Sequence, residues 1–110
     1  SYCDLTGLGL SNLNLSGTIL TGAYLTDANL ENVDLSGKDL TGTTLAGVDM
    51  SDKDLTDTIL MDANLTNAIL TGADLTNAVL TGTVLVGADL ENAVLTNAIL
   101  NCVGHPVCVT

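Results

Sequence analysis

Leucine occupies every fifth position of this chain from Leu5 to Leu100, and Met50 is the single exception. A period of five residues matches neither the 3.6-residue turn of an α-helix nor the two-residue alternation of a β-strand. The pattern therefore excludes a helix bundle, a coiled coil and a β-sandwich. A short period that continues along nearly the whole chain is typical of a solenoid, in which similar units stack on one another.

The residues around each central leucine describe a unit that turns once. The position two before the leucine is mostly a small residue, most often alanine, and the position two after it is Gly, Asn or Asp in every unit except the last, where Cys102 stands. Gly, Asn and Asp tolerate the left-handed backbone of a tight turn, and Asn and Asp also hydrogen-bond their own backbone. The sequence therefore predicts one turn in every five residues.

This unit resembles the pentapeptide-repeat family, whose consensus is Ala, then Asp or Asn, then Leu, then two variable residues. It reads Ala-Asp-Leu-Thr-Asn at 73–77 and Ala-Asn-Leu-Thr-Asn at 63–67, and the resemblance extends from Cys3 to Cys102. It implies an all-β fold, a right-handed quadrilateral parallel β-helix of about five coils with four pentapeptides in each. The predicted domains are the β-helix, residues 1–102, and a C-terminal tail or cap, residues 103–110.

The charge of the chain restricts its partners. The formal net charge is −11, and Lys38 and Lys53 are the only basic residues apart from one histidine, so binding to nucleic acid or anionic membrane through basic contacts is excluded. No apolar run has transmembrane length, so no membrane insertion is expected. Because a packed β-helix offers no pocket and no pair of nucleophile and base is evident, we expect no enzyme, no catalytic residue and no cofactor.

Cysteine occurs only near the two ends of the chain, at Cys3, Cys102 and Cys108. Cysteines at ends that could fray are disulfide candidates, and disulfides imply an extracytoplasmic compartment: secreted, cell surface, periplasm or thylakoid lumen. Their pairing stays open at this point. A metal set of Cys102, His105 and Cys108 fits no standard zinc spacing and lacks a fourth ligand, which favours a simple turn at His105.

A step of twenty residues sorts the outward side chains into columns. The acidic face comprises Asp34, Asp54, Asp74, Asp49 and Asp89, and the interaction stripe comprises Ile19, Ile59, Val79 and Ile99. The acidic face is expected to be a solvated surface without metal, and calcium bound by its carboxylates is the alternative. The interaction stripe is either ordinary surface apolar residues or a lateral contact with a partner.

Lys38 and Lys53 stand at the inward position that alanine usually fills. An unpaired buried ammonium is very costly, so either the stems reach a corner of the coil or the ammonium groups pair with nearby carboxylates. The candidate carboxylates are Asp39, Asp52, Asp54 and Asp57. Asn14 and Asn64 begin N-glycosylation acceptor patterns, but the repeat consensus supplies such patterns by itself.

Three non-enzymatic functions are compatible with these observations. We predict a structural protein that assembles with itself head to tail into a filament or oligomer, because bare terminal coils expose strand edges and heterologous contacts propagate. Cys3 of one copy would lie near Cys102 of the next, whereas a tail closed by Cys102 and Cys108 would leave a monomer. The alternatives are an acidic DNA mimic that binds a topoisomerase or another DNA-binding protein, a role known in the family, and a monomeric periplasmic or thylakoid-lumen binding module.

Overall fold

The backbone of this protein forms a stack of coils joined by parallel β-bridges. The computed structural model describes residues 3–108, and over that range it contains no α-helix and no strand longer than a single bridged residue. The bridges join residues 20 positions apart, from Asp4 with Tyr24 to Val79 with Ile99. Each coil therefore takes four pentapeptides, as the resemblance implies. The molecule measures 32 × 25 × 23 Å along its principal axes.

The bridged residues stand directly before the central leucines, and they form a repeating ladder of hydrogen bonds. In a typical rung the Leu65 N–H donates to the Val84 carbonyl at 2.8 Å, and the Val84 N–H donates to the Ala63 carbonyl at 2.9 Å. Within each unit a further bond closes the turn, such as the Ala63 N–H to the Leu60 carbonyl at 3.0 Å. Most backbone polar groups of the stack are paired in this way.

Every predicted turn is present. The residue two after each central position, from Gly7 to Asn97, has a positive φ, between 57° and 65° for Asn and Asp and between 68° and 78° for Gly. A positive φ at the third residue of a four-residue turn defines a type II turn, which Gly and Asn favour. The prediction of one turn per pentapeptide is therefore confirmed, and it explains why no branched residue occupies this position.

The core is a column of leucine side chains along the axis of the coils. Leucine is 0–1% exposed at every central position from Leu20 to Leu85, and Met50 is 1% exposed. Alanine is the commonest residue at the inward positions between them. Where threonine replaces alanine, its hydroxyl donates to a backbone carbonyl, as Thr58 does to Leu55 at 2.8 Å and Thr83 to Leu60 at 2.6 Å. The buried hydroxyls are thus satisfied.

The two ends of the stack differ. In the first coil, residues 3–22, the inward Leu8 and Leu13 remain 47% and 48% exposed. At the other end Val103 bridges Val84, and Val107 and Cys108 pack against the core. The tail therefore covers part of the last coil, residues 83–102, whereas no described segment covers the first. Residues 1, 2, 109 and 110 of the two predicted domains lie outside the described residues.

Candidate functional site

Two interruptions of the hydrogen-bond ladder distinguish the N-terminal coils. We call the first slit the gap between residues 13–20 and 33–40, and the second slit the gap between residues 28–35 and 48–55. In the described part of the chain, the bridges that the 20-residue register would place at Asn14–Asp34, Ile19–Asp39, Asn29–Asp49 and Asp34–Asp54 are not formed. From the third coil onward every repeating rung is present. The coils therefore separate locally at two places.

The slits have sharp limits. The first slit begins after the bond from the Asn12 N–H to the Glu31 carbonyl (2.9 Å) and ends at the bond from the Gly22 N–H to the Thr41 carbonyl (2.8 Å). The second begins after the bond from Asp27 to Ala46 (3.1 Å) and ends at that from Gly37 to Thr56 (2.8 Å). Each slit therefore spans two adjoining pentapeptides and closes at the corners on either side.

A lysine lies in each slit and takes the place of a ladder donor. The Lys53 Nζ donates to the Val33 carbonyl at 2.9 Å and to the Leu30 carbonyl at 2.8 Å, and the Lys38 Nζ donates to the Thr18 carbonyl at 3.0 Å. In the repeating pattern the Val33 carbonyl would accept from the Asp54 N–H, just as Lys53 accepts from Asp74 at 3.0 Å. The ammonium group therefore competes with the backbone for the same acceptor.

The prediction that the two lysines pair with nearby carboxylates was wrong. Their hydrogen bonds go to backbone carbonyls of the preceding coil and not to Asp39, Asp52, Asp54 or Asp57. Burial lowers the pKa of Lys53, and the carboxylates of Asp34 and Asp49 partly oppose that shift. The physical reason is reach, since a long stem at an inward position points toward the neighbouring coil, where carbonyls are the nearest acceptors.

Each slit opens into a cavity. The first slit holds about 580 Å³ and is lined by one carboxylate, Asp34, and one ammonium group, Lys38, together with Asn, Ser and Gly residues and the leucines Leu13 and Leu15. The second holds about 560 Å³ and is lined by four carboxylates and one ammonium group; these are Glu31, Asp49, Asp52, Asp54 and Lys53. Both volumes fall in the range of about 300–1,000 Å³ that is usual for ligand sites. The sequence did not predict the slits, although the two lysines at alanine positions were the signal.

The residues of the acidic face hold their carboxylates in local hydrogen bonds. The Oδ1 atom of Asp34 accepts from the Ser36 hydroxyl at 2.7 Å and from the Ser36 N–H at 3.0 Å, and Asp54 does the same with Thr56. These bonds hold the pKa of Asp34 below its usual value, with the hydroxyl contributing most. Similar bonds from Thr76 lower the pKa of Asp74. The Asp or Asn of the consensus thus satisfies a backbone N–H that the ladder leaves unpaired.

The structure brings together only part of the acidic face. Asp54 bridges Asp74, but the second slit separates Asp54 from Asp34, and Ile69 stands between Asp49 and Asp89. No group of three or more His, Cys, Asp or Glu residues within 3–108 is arranged to hold a metal ion. Calcium binding by this face stays an alternative prediction.

The interaction stripe is present as a column that includes one acid. Ile59, Val79 and Ile99 are joined by bridges, and Asp39 continues the column before Ile59. Ile19 lies beyond the first slit and is 80% exposed, whereas Ile99 is 48% exposed. The column is therefore continuous over three residues and interrupted by a carboxylate and a slit before the fourth. Lateral binding of a partner by the stripe stays a prediction.

The three cysteines divide into a pair and a single thiol. Cys102 and Cys108 form a disulfide with a Cα–Cα distance of 4.9 Å, and Cys3 is free and exposed. The disulfide removes both thiolates from the metal set considered with His105. Instead, the His105 carbonyl accepts from the Cys108 N–H at 3.0 Å, and His105 Nδ1 accepts from the Val107 N–H at 3.2 Å, which forms a turn in the tail.

The repeats and the four-sided register define the class of this protein. The family model described as pentapeptide repeats matches residues 1–37, 23–60, 39–77 and 58–97, with eight copies. The chain belongs to the pentapeptide-repeat family. Proteins of this family fold as right-handed quadrilateral β-helices and are in general structural or interaction proteins rather than enzymes. The family resemblance and its fold are thereby confirmed.

Several solved structures are similar to this chain. The pentapeptide-repeat protein Rfr23 from the cyanobacterium Cyanothece is 31% identical over 94% of this chain and 88% of its own, with a TM-score of 0.48. A thylakoid-lumen pentapeptide-repeat protein from Arabidopsis thaliana is 26% identical over 82% and 66%, with a TM-score of 0.44. QnrB1, a plasmid-mediated fluoroquinolone resistance protein, is 19% identical over 92% of this chain and 50% of its own, with a TM-score of 0.75. The likeness to QnrB1 shows the fold.

Among curated protein sequences, none matches this chain significantly. Within residues 3–108, no helix has the length and apolar character that crossing a membrane requires.

Proposed function

We propose that this protein is a non-enzymatic interaction protein that associates with itself through the N-terminal end of its β-helix. The observation that carries the proposal is the exposure of Leu8 and Leu13, at 47% and 48%, in positions that are inward in every later coil. We place five coils in residues 3–102 and treat the tail that follows as a cap. Full burial of an exposed leucine contributes roughly 1.5–3 kcal/mol, so covering the exposed half of each of these two would stabilise a contact by about half of that per side chain.

The backbone of the first coil supports such a contact. In the second coil the Tyr24 N–H donates to the Cys3 carbonyl at 2.8 Å, and the Asn29 N–H donates to the Leu8 carbonyl at 2.9 Å. Asp4 and Gly9 hold the same positions in the first coil. Within residues 3–108 no preceding coil accepts a hydrogen bond from their N–H groups. An exposed strand edge beside apolar side chains favours pairing with a second copy. Two such edges related by a twofold axis form a closed dimer.

The tail determines whether the assembly closes or grows. A head-to-tail filament needs an open last coil, but Val103 bridges Val84 there and the Cys102–Cys108 disulfide holds the tail in place. We therefore propose a dimer of first coils in the oxidised protein. Head-to-tail growth requires the tail to detach from the last coil. We therefore propose such growth for the reduced protein. A disulfide between Cys3 and Cys102 of two copies is not part of the proposal, because Cys102 is already paired.

Light scattering coupled to size-exclusion chromatography tests this proposal. We expect the oxidised protein to have twice the monomer mass of 11.2 kDa, and the double variant Leu8→Asn/Leu13→Asn to be a monomer. Ile99→Asn, at the other end of the stack, should leave the dimer intact. A monomeric wild-type protein at high concentration contradicts self-association and supports the monomeric binding module. Larger particles in reducing buffer, and only there, support the filament.

A DNA-mimic function is the second candidate, and the net charge of −11 favours it. An acidic rod can occupy a site that binds the phosphate backbone, and such binding weakens steeply as salt increases. The proposal predicts that the protein competes with DNA for a type II topoisomerase at low salt. Failure to compete at low salt contradicts it.

The proposed localisation is extracytoplasmic. The Cys102–Cys108 disulfide supports it, because such bonds persist in oxidising compartments and are rare in the cytosol. Alkylation of the protein at the moment of cell lysis tests this placement. One free thiol is expected, and three free thiols contradict it.

A further inference from the structure

We propose that the second slit is a docking site for an extended, lysine- or arginine-rich segment of a partner protein. The site is independent of the end of the rod at which we place self-association. It lies on the lateral surface between the second coil, residues 23–42, and the third, residues 43–62. The argument rests on three properties of the slit: its open backbone, its cavity and its charge.

The backbone of the slit is a template for an added strand. Elsewhere, a residue in the position of Leu30 donates its N–H to the next coil, as Leu70 does to Asp89 at 2.8 Å. Across the second slit the N–H groups of Leu30, Asn32 and Leu35 have no backbone acceptor within the described residues. The N–H groups of Asp49 and Asp54 on the facing coil are likewise without a backbone acceptor. An extended segment pairs its main chain with such donors and the carbonyls between them.

The cavity is large enough for a ligand but is not a general opening of the coil. It holds about 560 Å³ and is bounded by intact rungs on both sides, at Asp27–Ala46 and Gly37–Thr56. Lys53 occupies only the Val33 and Leu30 carbonyls, at 2.9 and 2.8 Å. Of the residues with an unpaired N–H group, Asn32, Asp49 and Asp54 line the cavity. A segment of a few residues therefore has backbone partners over the length of the slit.

The charge of the slit selects a cationic partner. Four carboxylates, Glu31, Asp49, Asp52 and Asp54, line it against the single ammonium group of Lys53, which is already engaged by two carbonyls. Asp49 and Asp54 use their Oδ1 atoms for Ser51 and Thr56. Basic side chains that flank an inserted backbone would meet this ring of carboxylates, and opposite charge also accelerates encounter.

The first slit is an internal comparison. It has a similar volume, about 580 Å³, and a lysine held in the same way, with Lys38 Nζ on the Thr18 carbonyl at 3.0 Å. Its lining balances one carboxylate, Asp34, against one ammonium group, Lys38. The open backbone is therefore common to both slits, and the excess of negative charge belongs to the second alone.

Lys53 holds the second slit open. In the column of inward residues to which it belongs, the third coil has Lys53 and the later coils have Ala73 and Ala93. The bridges Asp54–Asp74 and Asp74–Val94 are intact beside those alanines. Replacing Lys53 by alanine should therefore let the Asp54 N–H reach the Val33 carbonyl and close the slit.

The experiment measures binding of a fluorescent decalysine peptide by anisotropy at low and physiological salt. We expect Lys53→Ala to bind about tenfold more weakly than wild type, the effect of losing one or two backbone hydrogen bonds. Simple attraction to an acidic rod predicts the opposite, because this substitution makes the protein more negative. Lys38→Ala changes the charge equally but closes the other slit, so it should bind like wild type.

Hydrogen exchange provides the second measurement. In wild type, decalysine should protect the amides of Leu30, Asn32, Leu35 and Asp54, which have no backbone partner in the free protein. Equal or tighter binding by Lys53→Ala, or binding that leaves these amides unprotected, overturns the proposal. Equal binding of a decaserine peptide overturns the charge selectivity. Variants Leu8→Asn and Leu13→Asn should not alter decalysine binding, which separates this site from self-association.

Discussion

The N-terminal and C-terminal coils of this protein are built from the same pentapeptide, yet they differ in continuity. Between the third and later coils, residues 43–102, every rung of the backbone ladder is formed, whereas the first three coils are parted by two slits. Leucine is equally buried on both sides of the second slit, at Leu35 and Leu55. The comparison teaches that the central leucines are buried whether or not the coils close, and that each slit lies where a lysine stands at an inward position.

The largest expected effect comes from placing a charge in the closed region. Leu55→Asp should prevent folding, because Leu55 is 0% exposed and an unpaired buried charge costs several kcal/mol against a typical stability of about 5–15 kcal/mol. Circular dichroism and thermal unfolding measure the result. Leu15→Asp, at a partly buried position beside the first slit, should fold with a lower Tm. Equal tolerance of both substitutions would mean that the two regions do not differ.

The second prediction exchanges the inward residues of the two regions. Ala73→Lys should insert a lysine beside closed coils and destabilise the protein by about 1–3 kcal/mol, the usual cost of overpacking a core. Lys53→Ala should stabilise it by about 1 kcal/mol, because backbone hydrogen bonds replace a partly buried ammonium. Urea unfolding measures both changes. If Lys53→Ala lowers the stability, the lysine is a support of the stack rather than an obstacle to its closure.

The third prediction compares two glycine turns. Gly72, in the closed region, has a φ of +70°, and an added Cβ would meet the Asp52 carboxylate, whereas an added Cβ at Gly37, φ +68°, would meet nothing within 4 Å. Gly37→Ala should cost about 1–2 kcal/mol from the left-handed backbone alone. Gly72→Ala should cost more, and Gly72→Ala/Asp52→Gly should recover the difference, because glycine removes the carboxylate and also accepts the positive φ of position 52. Equal losses for both single variants would show that the Asp52 side chain moves aside freely.

The fourth prediction concerns pH. Because burial lowers the pKa of Lys53 in the folded protein, the unfolded chain binds more protons between that pKa and the free value near 10.4, so stability should rise with pH there. The difference in unfolding free energy between wild type and Lys53→Met isolates this effect. On the acid side, the lowered pKa values of Asp34, Asp49 and Asp74 predict stability that is present above about pH 4 and is lost below it. A flat difference curve at alkaline pH would contradict the burial of Lys53.

The smallest expected effect is that of a chelator. Asp54 and Asp74 are neighbours in the closed region, but the second slit separates Asp34 from them. We therefore expect the Tm to be unchanged by a chelator and by added calcium. A Tm that rises with free calcium would identify a site by mass action, and its loss in Asp74→Asn but not in Asp34→Asn would place that site among the closed coils.

Much of this structure follows from the sequence alone. The leucine period and the Gly, Asn or Asp at each turn predict the positive φ values from Gly7 to Asn97, because a turn depends on the conformation of five consecutive residues. The coil of twenty residues followed from the resemblance to the pentapeptide-repeat family. The step of twenty in turn predicts the column of Ile59, Val79 and Ile99.

The sequence predicted only part of the candidate site. Lys38 and Lys53 were recognisable as unusual at their inward positions. Their carbonyl partners and the gaps beside them did not follow, because a flexible stem can reach carboxylates as well as backbone carbonyls. The pairing of Cys102 with Cys108 likewise needed the path of the tail, since all three cysteines were candidates.

The sequence by itself determined the inward column and the place of every turn, because each is a property of one pentapeptide. The size of the coil followed from the family that the repeats resemble, and the bridges between residues 20 positions apart agree with it. Only the tertiary structure decided where the coils close and where they part. A rung joins residues twenty positions apart, and at the Thr18 and Val33 carbonyls a lysine ammonium group takes the place of the backbone N–H, an exchange that exists only when the coils are stacked.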